Sequence, residues 1–208
     1  MNILFRADSS SIIGTGHIMR DLVLASQLQK RHLHSKITFA TRNLDGNVNH
    51  KIIESGYETI DLQTNDVQEL SQELERKNID MIVIDHYEID YSFEKQLKME
   101  NPTLQIMALD DTYEKHDCDI LLNHNVGADK KRYERLVPKS CELRCGSEYA
   151  LLRDEFYKEK EKKRKTAITK NKTLFLAMGG ADHSNINIEI LKVLETFDHL
   201  KVNLATTT

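Results

Sequence analysis

The chain has 208 residues, of which 39% are hydrophobic and 30% are charged, and its formal net charge is −4 at pH 7. This length allows one sizeable α/β core and part of a second, and the mixture of charges is typical of a folded globule rather than a disordered chain. The negative net charge gives no electrostatic reason to expect nucleic acid or an anionic membrane as a partner, so we predict neither. Nothing in the sequence indicates an oligomeric state.

The N-terminal segment and the cysteines both indicate a cytoplasmic protein. Met1–Ala7 is a strand-like run that does not resemble a signal peptide, and no apolar stretch reaches the ~20 residues needed to cross a bilayer. The three cysteines, Cys118, Cys141 and Cys145, contain no C-x-x-C pair, so we predict reduced thiols. A zinc site that combined Cys141 and Cys145 with His116 would lack any recognised ligand spacing.

Apolar, strand-like runs alternate with helix-period segments over the first 123 residues. This alternation predicts βαβ units and an α/β fold with a parallel, Rossmann-like sheet. The run Met81–Ile84 is apolar throughout, as expected for a central strand that is covered on both faces. In chain order the predicted elements are strand Asn2–Arg6, helix Gly16–Arg31, strand Ser35–Thr41, helix Gly46–Ser55, strand Tyr57–Leu62, helix Asp66–Lys77, strand Met81–Asp85, helix Tyr91–Met99, and strands Leu104–Asp110 and Asp119–Asn123.

The composition changes after Leu152, where a highly charged segment indicates a solvated helix or linker. Beyond it, a strand at Thr173–Met178, a helix at Ser184–Phe197 and a strand at Lys201–Thr206 begin a fresh βαβ unit. One such unit cannot cover its own sheet, so we expect the second domain to be truncated. We predict a catalytic domain at 1–152, a charged linker at 153–172 and the start of a nucleotide-binding domain at 173–208.

The loop between the first predicted strand and the first predicted helix carries the strongest functional signal. Ligands bind outside the carboxyl ends of parallel strands, which is where this loop lies. Gly14 and Gly16 allow a sharp turn and a close approach of the backbone to a ligand. Met19 stands where the dinucleotide motif G-x-G-x-x-G has its third glycine, so this pattern gives only weak support for a dinucleotide site.

His17 is the candidate base. It lies at the N-terminus of the first predicted helix, where the helix dipole disfavours an imidazolium and keeps the ring neutral. A neutral imidazole near pH 7 is what a general base requires. A histidine beside two glycines is also found as a capping or packing residue. Arg20 and Asp21 follow on the same helical face, and either contacts His17 or forms a surface ion pair.

Further polar residues end other predicted strands and therefore converge on the same rim of the sheet. Asp85, His86 and Tyr87 follow the fourth strand. The pair Asp110-Asp111 and then Asn123 end the next two strands. Any one of these residues is also explained as a polar group that leaves a strand, but their convergence favours a functional site.

Two further motifs resemble ligand-binding patterns. Gly179 and Gly180 join a strand to a helix, and such a turn offers amides at a helix N-terminus to a diphosphate. The D-x-D pattern at 117–119 resembles the metal-binding motif of some sugar-nucleotide enzymes, but it opens a strand at the opposite edge from the rim. We therefore predict neither a metal nor another cofactor.

Six motifs follow one another along the chain: Leu4–Ser11, Gly14–Leu22, Ile84–Tyr87, Cys118–Asn123, Cys145–Arg153 and Met178–Asp182. In this order they resemble one family, the UDP-2,4-diacetamido-2,4,6-trideoxy-β-L-altropyranose hydrolases of pseudaminic acid biosynthesis. The resemblance covers essentially the whole chain. More distantly, the sequence is similar to the glycosyltransferase B fold, which has two Rossmann-like domains with the active site in the cleft between them.

The resemblance implies cleavage of the anomeric C–O bond of the UDP-sugar with inversion, which releases UDP and the free sugar. The family's catalytic base falls on His17 and its active-site tyrosine on Tyr87. The product would go on toward pseudaminic acid, which decorates flagellin and other bacterial surface structures. The predicted substrate contacts are Asp8, Gly14, Gly16, His86, Tyr87, Asn123, Gly179 and Gly180.

The residues are chemically sufficient for this reaction. An ordinary glycosidase protonates a poor leaving group with one carboxylic acid and uses a second carboxylate as base or nucleophile. UDP is a good leaving group, so one base and helix-terminal amides suffice without a metal. Two alternatives remain: a glycosyltransferase in which His17 deprotonates an acceptor hydroxyl, and an inactive, truncated fragment that binds sugar nucleotides.

Overall fold

A computed structural model describes residues 1–162, 172–178 and 185–205. The chain divides into two compact units, Met1–Arg153 and Asp154–Thr208. No helix among the described residues is both long enough and apolar enough to cross a membrane.

The first unit contains a seven-stranded parallel sheet with the strand order β3-β2-β1-β4-β5-β6-β7. Helices connect the first five strands, as expected from the alternating sequence pattern. Its elements are β1 (Asn2–Ala7), α1 (Gly16–Arg31), β2 (Lys36–Arg42), α2 (His50–Glu54), β3 (Glu58–Leu62), α3 (Val67–Lys77), β4 (Met81–Asp85), α4 (Tyr91–Glu100), β5 (Gln105–Leu109), β6 (Ile120–Asn123) and β7 (Glu142–Cys145), with short 3₁₀ turns at Lys130–Tyr133 and Ser147–Tyr149.

Two apolar layers cover the sheet, one on each face. On one face Phe5 of β1 packs in a cluster with Ile18 of α1 and Ile52 of α2. On the other face Leu4 packs in a cluster that includes Leu70 of α3 and Leu97 of α4. Successive residues of β1 therefore enter opposite layers, and this alternation explains why a strand at the centre of the sheet is apolar throughout.

The second unit contains α5 (Asp154–Glu161), β8 (Lys172–Ala177), α6 (Ile186–Leu194) and β9 (Leu200–Ala205). Strands β8 and β9 pair in parallel, with Lys172 opposite Leu200. The N-terminal part of the charged segment forms helix α5, and residues 163–171 of the predicted linker lie outside the described residues.

Two predicted elements need correction. The helix predicted at Gly46–Ser55 spans only His50–Glu54, because Gly46 has φ +70°, which is incompatible with a right-handed helix. A Cβ at Gly46 would also lie 2.9 Å from the backbone nitrogen of Ser11. Strand β7 was not predicted: it is four residues long and lies at the edge of the sheet, where its polar residues leave little apolar signal.

Candidate active site

The site lies where the strand order of the sheet reverses. Strands β2 and β3 lie on one side of β1, and β4 lies on its other side, so the connections after β1 and β4 diverge. Ligands of open parallel sheets bind at the carboxyl end of this switch point. The structure places the loop with Gly14 at this position and starts α1 at Gly16. Gly14 has φ +85°, a conformation that favours glycine.

The first turn of α1 has an open positive end. Thr15 occupies the N-cap position and forms no capping hydrogen bond through its side chain, and the first turn contains no acidic residue. The amides of a helix N-terminus that lack such partners attract anions. The 16-residue helix therefore directs a partial positive charge toward the space above β1 and β4.

His17 and Tyr87 lie against each other across the switch point. Their rings meet edge to face, with centroids 4.9 Å apart. The His17 residue is 7% exposed, and its Nδ1 is buried without a hydrogen-bond partner among the described residues. Burial lowers the pKa of His17 below its usual value, although the carboxylate of Asp85 opposes this shift. A low pKa keeps the ring neutral and able to accept a proton near pH 7.

An arginine clamps this part of the rim. Arg20 donates from Nε and Nη2 to the two carboxylate oxygens of Asp85, both at 2.5 Å. Its Nη1 lies 3.6 Å from Asp111, and the Tyr87 hydroxyl is 3.2 Å from both oxygens of Asp111. Arg20 thus joins α1 to the ends of β4 and β5, and Tyr87 is anchored to the same network. Of the two roles left open for Arg20, ion pairing is the one observed, but the pair with Asp85 is largely buried rather than on the surface.

Asp8 is a buried carboxylate beneath the rim that accepts hydrogen bonds from several neighbouring residues. Because Ala7 pairs with Asp85 in the sheet register, the residues that follow, Asp8 and His86, lie side by side. The His86 Nε2–H donates to Asp8 at 2.9 Å, and its Nδ1 accepts the backbone N–H of Glu88 at 3.1 Å. Burial alone would raise the pKa of Asp8, but hydrogen bonds from His86 and Arg6 hold it well below its usual range. Asp8 therefore fixes the orientation of His86.

Asn123, Tyr133 and Asp110 form a second buried network. The Asn123 amide donates to the Tyr133 hydroxyl at 2.9 Å, and this hydroxyl donates to Asp110 at 2.6 Å. Asn123 also accepts the backbone N–H of Asn125 at 3.2 Å. Its described hydrogen bonds are therefore made within the β5–β6 end of the rim. Gly179 and Gly180, the predicted diphosphate turn, lie outside the described residues.

A cavity of about 480 Å³ opens beside the rim between the ends of β4 and β5. Its lining includes His86, Tyr87, Thr112 and His116. The His116 Nδ1 lies 2.8 Å from Glu94 and its Nε2 lies 4.0 Å from Asp110. Across the described residues, no group of three His, Cys, Asp or Glu side chains is arranged to hold a metal ion.

Sequence analysis missed His124, which belongs to the electrostatic environment of the rim. Burial lowers the pKa of His124, and the Arg20 guanidinium lowers it further. The available signal was its position: His124 directly follows Asn123 at the end of β6. The sequence pattern also gives no sign that Asp21 is completely buried.

The sequence comparisons place the chain in a family. It is 41% identical over 194 residues to the UDP-2,4-diacetamido-2,4,6-trideoxy-beta-L-altropyranose hydrolase of Campylobacter jejuni. The chain belongs to this hydrolase family. The alignment covers 93% of the chain and 66% of the C. jejuni hydrolase, so the chain spans slightly less than two thirds of that family member.

Two further sequence comparisons gave one more distant relative and no matching family model. An uncharacterized protein of Methanocaldococcus jannaschii is 29% identical over 200 residues, which cover 95% of this chain and 40% of that protein. No protein-family model matches the chain.

The solved structure of UDP-GlcNAc 2-epimerase from Neisseria meningitidis, bound to UDP-GlcNAc, is similar with a TM-score of 0.50 at 12% identity. The alignment covers 98% of this chain and 65% of the epimerase. At this identity the likeness concerns the fold alone. It confirms the predicted α/β, glycosyltransferase B-like fold class of this hydrolase family member.

Proposed function

We propose that the chain carries the N-terminal catalytic part of a hydrolase that cleaves UDP-2,4-diacetamido-2,4,6-trideoxy-β-L-altropyranose into UDP and the free diacetamido sugar. The substrate and reaction type are those named for the C. jejuni relative. The observation that carries the proposal is the position of His17. It lies at the head of α1 and at the strand-order reversal, with a lowered pKa and its ring against Tyr87.

The proposed reaction is a single displacement by water. The Nε2 of His17 takes a proton from water as its oxygen attacks the anomeric carbon. The C–O bond to the β-phosphate breaks, and its electron pair leaves on the oxygen of UDP. One displacement at one carbon inverts the configuration, as in inverting glycosidases. The proton held by His17 then passes to solvent and returns the base to its neutral form.

The leaving group explains why a single base is enough. UDP departs as a stable anion and needs no acid to protonate it, so the reaction requires stabilisation of a developing charge rather than a second proton transfer. The uncapped first turn of α1 offers amides for this purpose, and Gly14 and Gly16 let the diphosphate approach them. Gly179 and Gly180 remain predicted contacts of the diphosphate. The proposed reaction therefore includes no metal.

The other site residues surround this centre. Tyr87 is 66% exposed beside the base, so its ring offers a surface to the sugar. His86 and Asn123 are proposed to contact the substrate from positions fixed by Asp8 and Tyr133. A substrate contact by Asp8 stays a prediction, and in the structure its carboxylate is completely buried and held by Arg6, Arg42 and His86. The released sugar would then enter pseudaminic acid biosynthesis.

The decisive experiment replaces the base and follows the products. His17→Asn removes the titrating ring, and general-base catalysis contributes about 10²- to 10⁴-fold, so turnover should fall by that order. The assay is proton NMR of the UDP-sugar incubated without any acceptor, which reports the sugar released and its anomeric configuration. A version extended to the full length of the C. jejuni relative is used alongside the 208-residue chain.

The matched control is His34→Asn, because His34 is an exposed histidine just beyond the end of α1. It should leave turnover unchanged. Activity near wild type in His17→Asn would refute the role of His17 as the base. Sugar release that depends on an added acceptor alcohol would instead support a glycosyltransferase.

A further inference from the structure

The carboxyl group of Asp21 and the Nδ1 atom of His17 are both buried without an N–H partner among the described residues, on successive turns of α1. Asp21 is completely buried, and neither of its carboxyl oxygens accepts a hydrogen bond from an N–H or O–H of the described residues. The Nδ1 atom of His17 is buried and unpaired in the same way. Residues four positions apart on a helix are surface neighbours, about 5–6 Å apart at Cβ. Burying polar groups without partners is costly, so their presence on adjacent turns of one helix favours a functional role.

The charges around Asp21 indicate that its carboxyl group is protonated. Its polar neighbour is Asp85, whose two oxygens are already held by Arg20 at 2.5 Å. The single positive charge of Arg20 is already paired with Asp85, so it would balance a second buried carboxylate at Asp21 only in part. Burial first, and the Asp85 carboxylate second, raise the pKa of Asp21 well above its usual range. A protonated Asp21 donates its O–H to Asp85 and keeps a carbonyl oxygen free to accept.

We propose that Asp21, as a neutral carboxylic acid, is the positioning residue of His17. Its carbonyl oxygen accepts the Nδ1–H of the ring after a small side-chain rotation. This contact selects the tautomer that carries its proton on Nδ1 and leaves Nε2 unprotonated toward the substrate. The inference rests on the proposed function, since it assigns Asp21 a role only if His17 is the base.

The neutral state distinguishes this arrangement from the Ser-His-Asp triad. In the triad a buried carboxylate orients the histidine and stabilises the imidazolium that forms. A carboxylate beside His17 would raise the pKa of the ring, whereas burial lowers it here. A neutral acceptor orients the ring without adding this charge. Asp21 thereby orients the His17 ring, and the pKa of the ring is set by its burial and the neighbouring charges.

Two substitutions test the proposal, because Asn mimics a protonated carboxyl group and Leu does not. Asp21→Asn keeps one acceptor for Nδ1–H and one donor for Asp85, so we expect turnover within about fivefold of wild type. Asp21→Leu keeps a similar volume but has no acceptor, so kcat should fall about 10- to 100-fold with a smaller change in KM. Nitrogen-15 NMR of the His17 ring should show the Nδ1–H tautomer in wild type and Asp21→Asn, and a mixture in Asp21→Leu.

A buried but partnered carboxyl group provides the control. Glu94 is also completely buried, yet it contacts His116 at 2.8 Å and accepts the backbone N–H of Asp117 at 2.6 Å. Glu94→Gln should lower the free energy of unfolding without changing the His17 tautomer. Asp21→Leu should change the free energy of unfolding little, because the loss of the two hydrogen bonds of Asp21 is offset by the removal of a buried carboxyl group that accepts no described N–H. If Asp21 had only a structural role, Asp21→Leu would lower the free energy of unfolding and leave the His17 tautomer unchanged.

The readouts separate this proposal from the proposed function. The tautomer is measured without substrate, so an unchanged tautomer in Asp21→Leu overturns the positioning role even where His17→Asn is inactive. Asp21→Asn that is as impaired as Asp21→Leu also overturns it, because a carboxylate would then be required. Full activity of His17→Asn would instead remove the function on which the inference rests.

Discussion

Replacing Asp8 with Ala is expected to cost the protein much of its stability. The Asp8 carboxylate accepts hydrogen bonds from Arg6 at 2.7 and 2.9 Å and from the backbone N–H and Nε of Arg42, both at 2.7 Å. The His86 ring adds a bond at 2.9 Å. Arg6 is completely buried, so the substitution leaves its guanidinium without a counter-charge. Removing one partner of a buried ion pair costs about 3–5 kcal/mol.

Urea unfolding at pH 7, followed by circular dichroism, measures this loss. Asp61→Ala, at an exposed position of β3, is the control and should change the free energy of unfolding by no more than about 0.5 kcal/mol. The double variant Arg6→Met with Asp8→Leu removes both charges and should be less destabilised than Asp8→Ala. A loss below about 1 kcal/mol in Asp8→Ala would refute the view that this carboxylate balances a buried arginine.

Three further outcomes are expected. Tyr87→Phe should lower turnover less than His17→Asn, because the Tyr87 hydroxyl is held by Asp111 while its ring contacts the base; an unchanged rate would remove Tyr87 from the site. Calorimetry should show weaker UDP binding by the 208-residue chain than by a version extended to the length of the C. jejuni relative; equal affinities would contradict a role in UDP binding for the part of that relative outside the alignment. Burial lowers the pKa of His116, but Asp110 and Glu94 outweigh burial and raise it to about 9 from 6.5. The contribution of the protonated His116 ring to the free energy of unfolding is therefore complete below pH 6.5 and lost as the pH rises through about 9. The urea concentration at the midpoint of unfolding should fall over this pH range in wild type and fall less in His116→Gln.

The central elements could be predicted from the sequence because their signals are strong. Helix α1 was placed at its observed bounds, and so was β4, a strand buried on both faces. Where the signal is weak, prediction failed for identifiable reasons. The start of α2 depends on the backbone conformation at Gly46, and the edge strand β7 is defined by pairing with β6 rather than by its own composition.

The rim could be predicted in outline but not in its pairings. Sequence order shows that Asp85 and Tyr87 follow a strand, and the rule for parallel sheets brings them to one edge. Which partner Arg20 takes depends on β4 lying next to β1, and the sequence does not state this strand order. The burial of Asp21 depends on the same packing. Pairings across the sheet therefore had to come from the structure.

The rim contains two kinds of buried polar group, and substitutions at them should affect stability and activity differently. Around Asp8 every charge is balanced, so a substitution there should reduce stability and displace His86 together. At His17 and Asp21, buried ring and carboxyl atoms accept no hydrogen bond from the described N–H groups, so substitution there should reduce activity at little cost to stability. Active sites commonly retain such unfavourable features because the reaction requires them. A variant that keeps its stability and loses turnover is thus the result expected at Asp21 and not at Asp8.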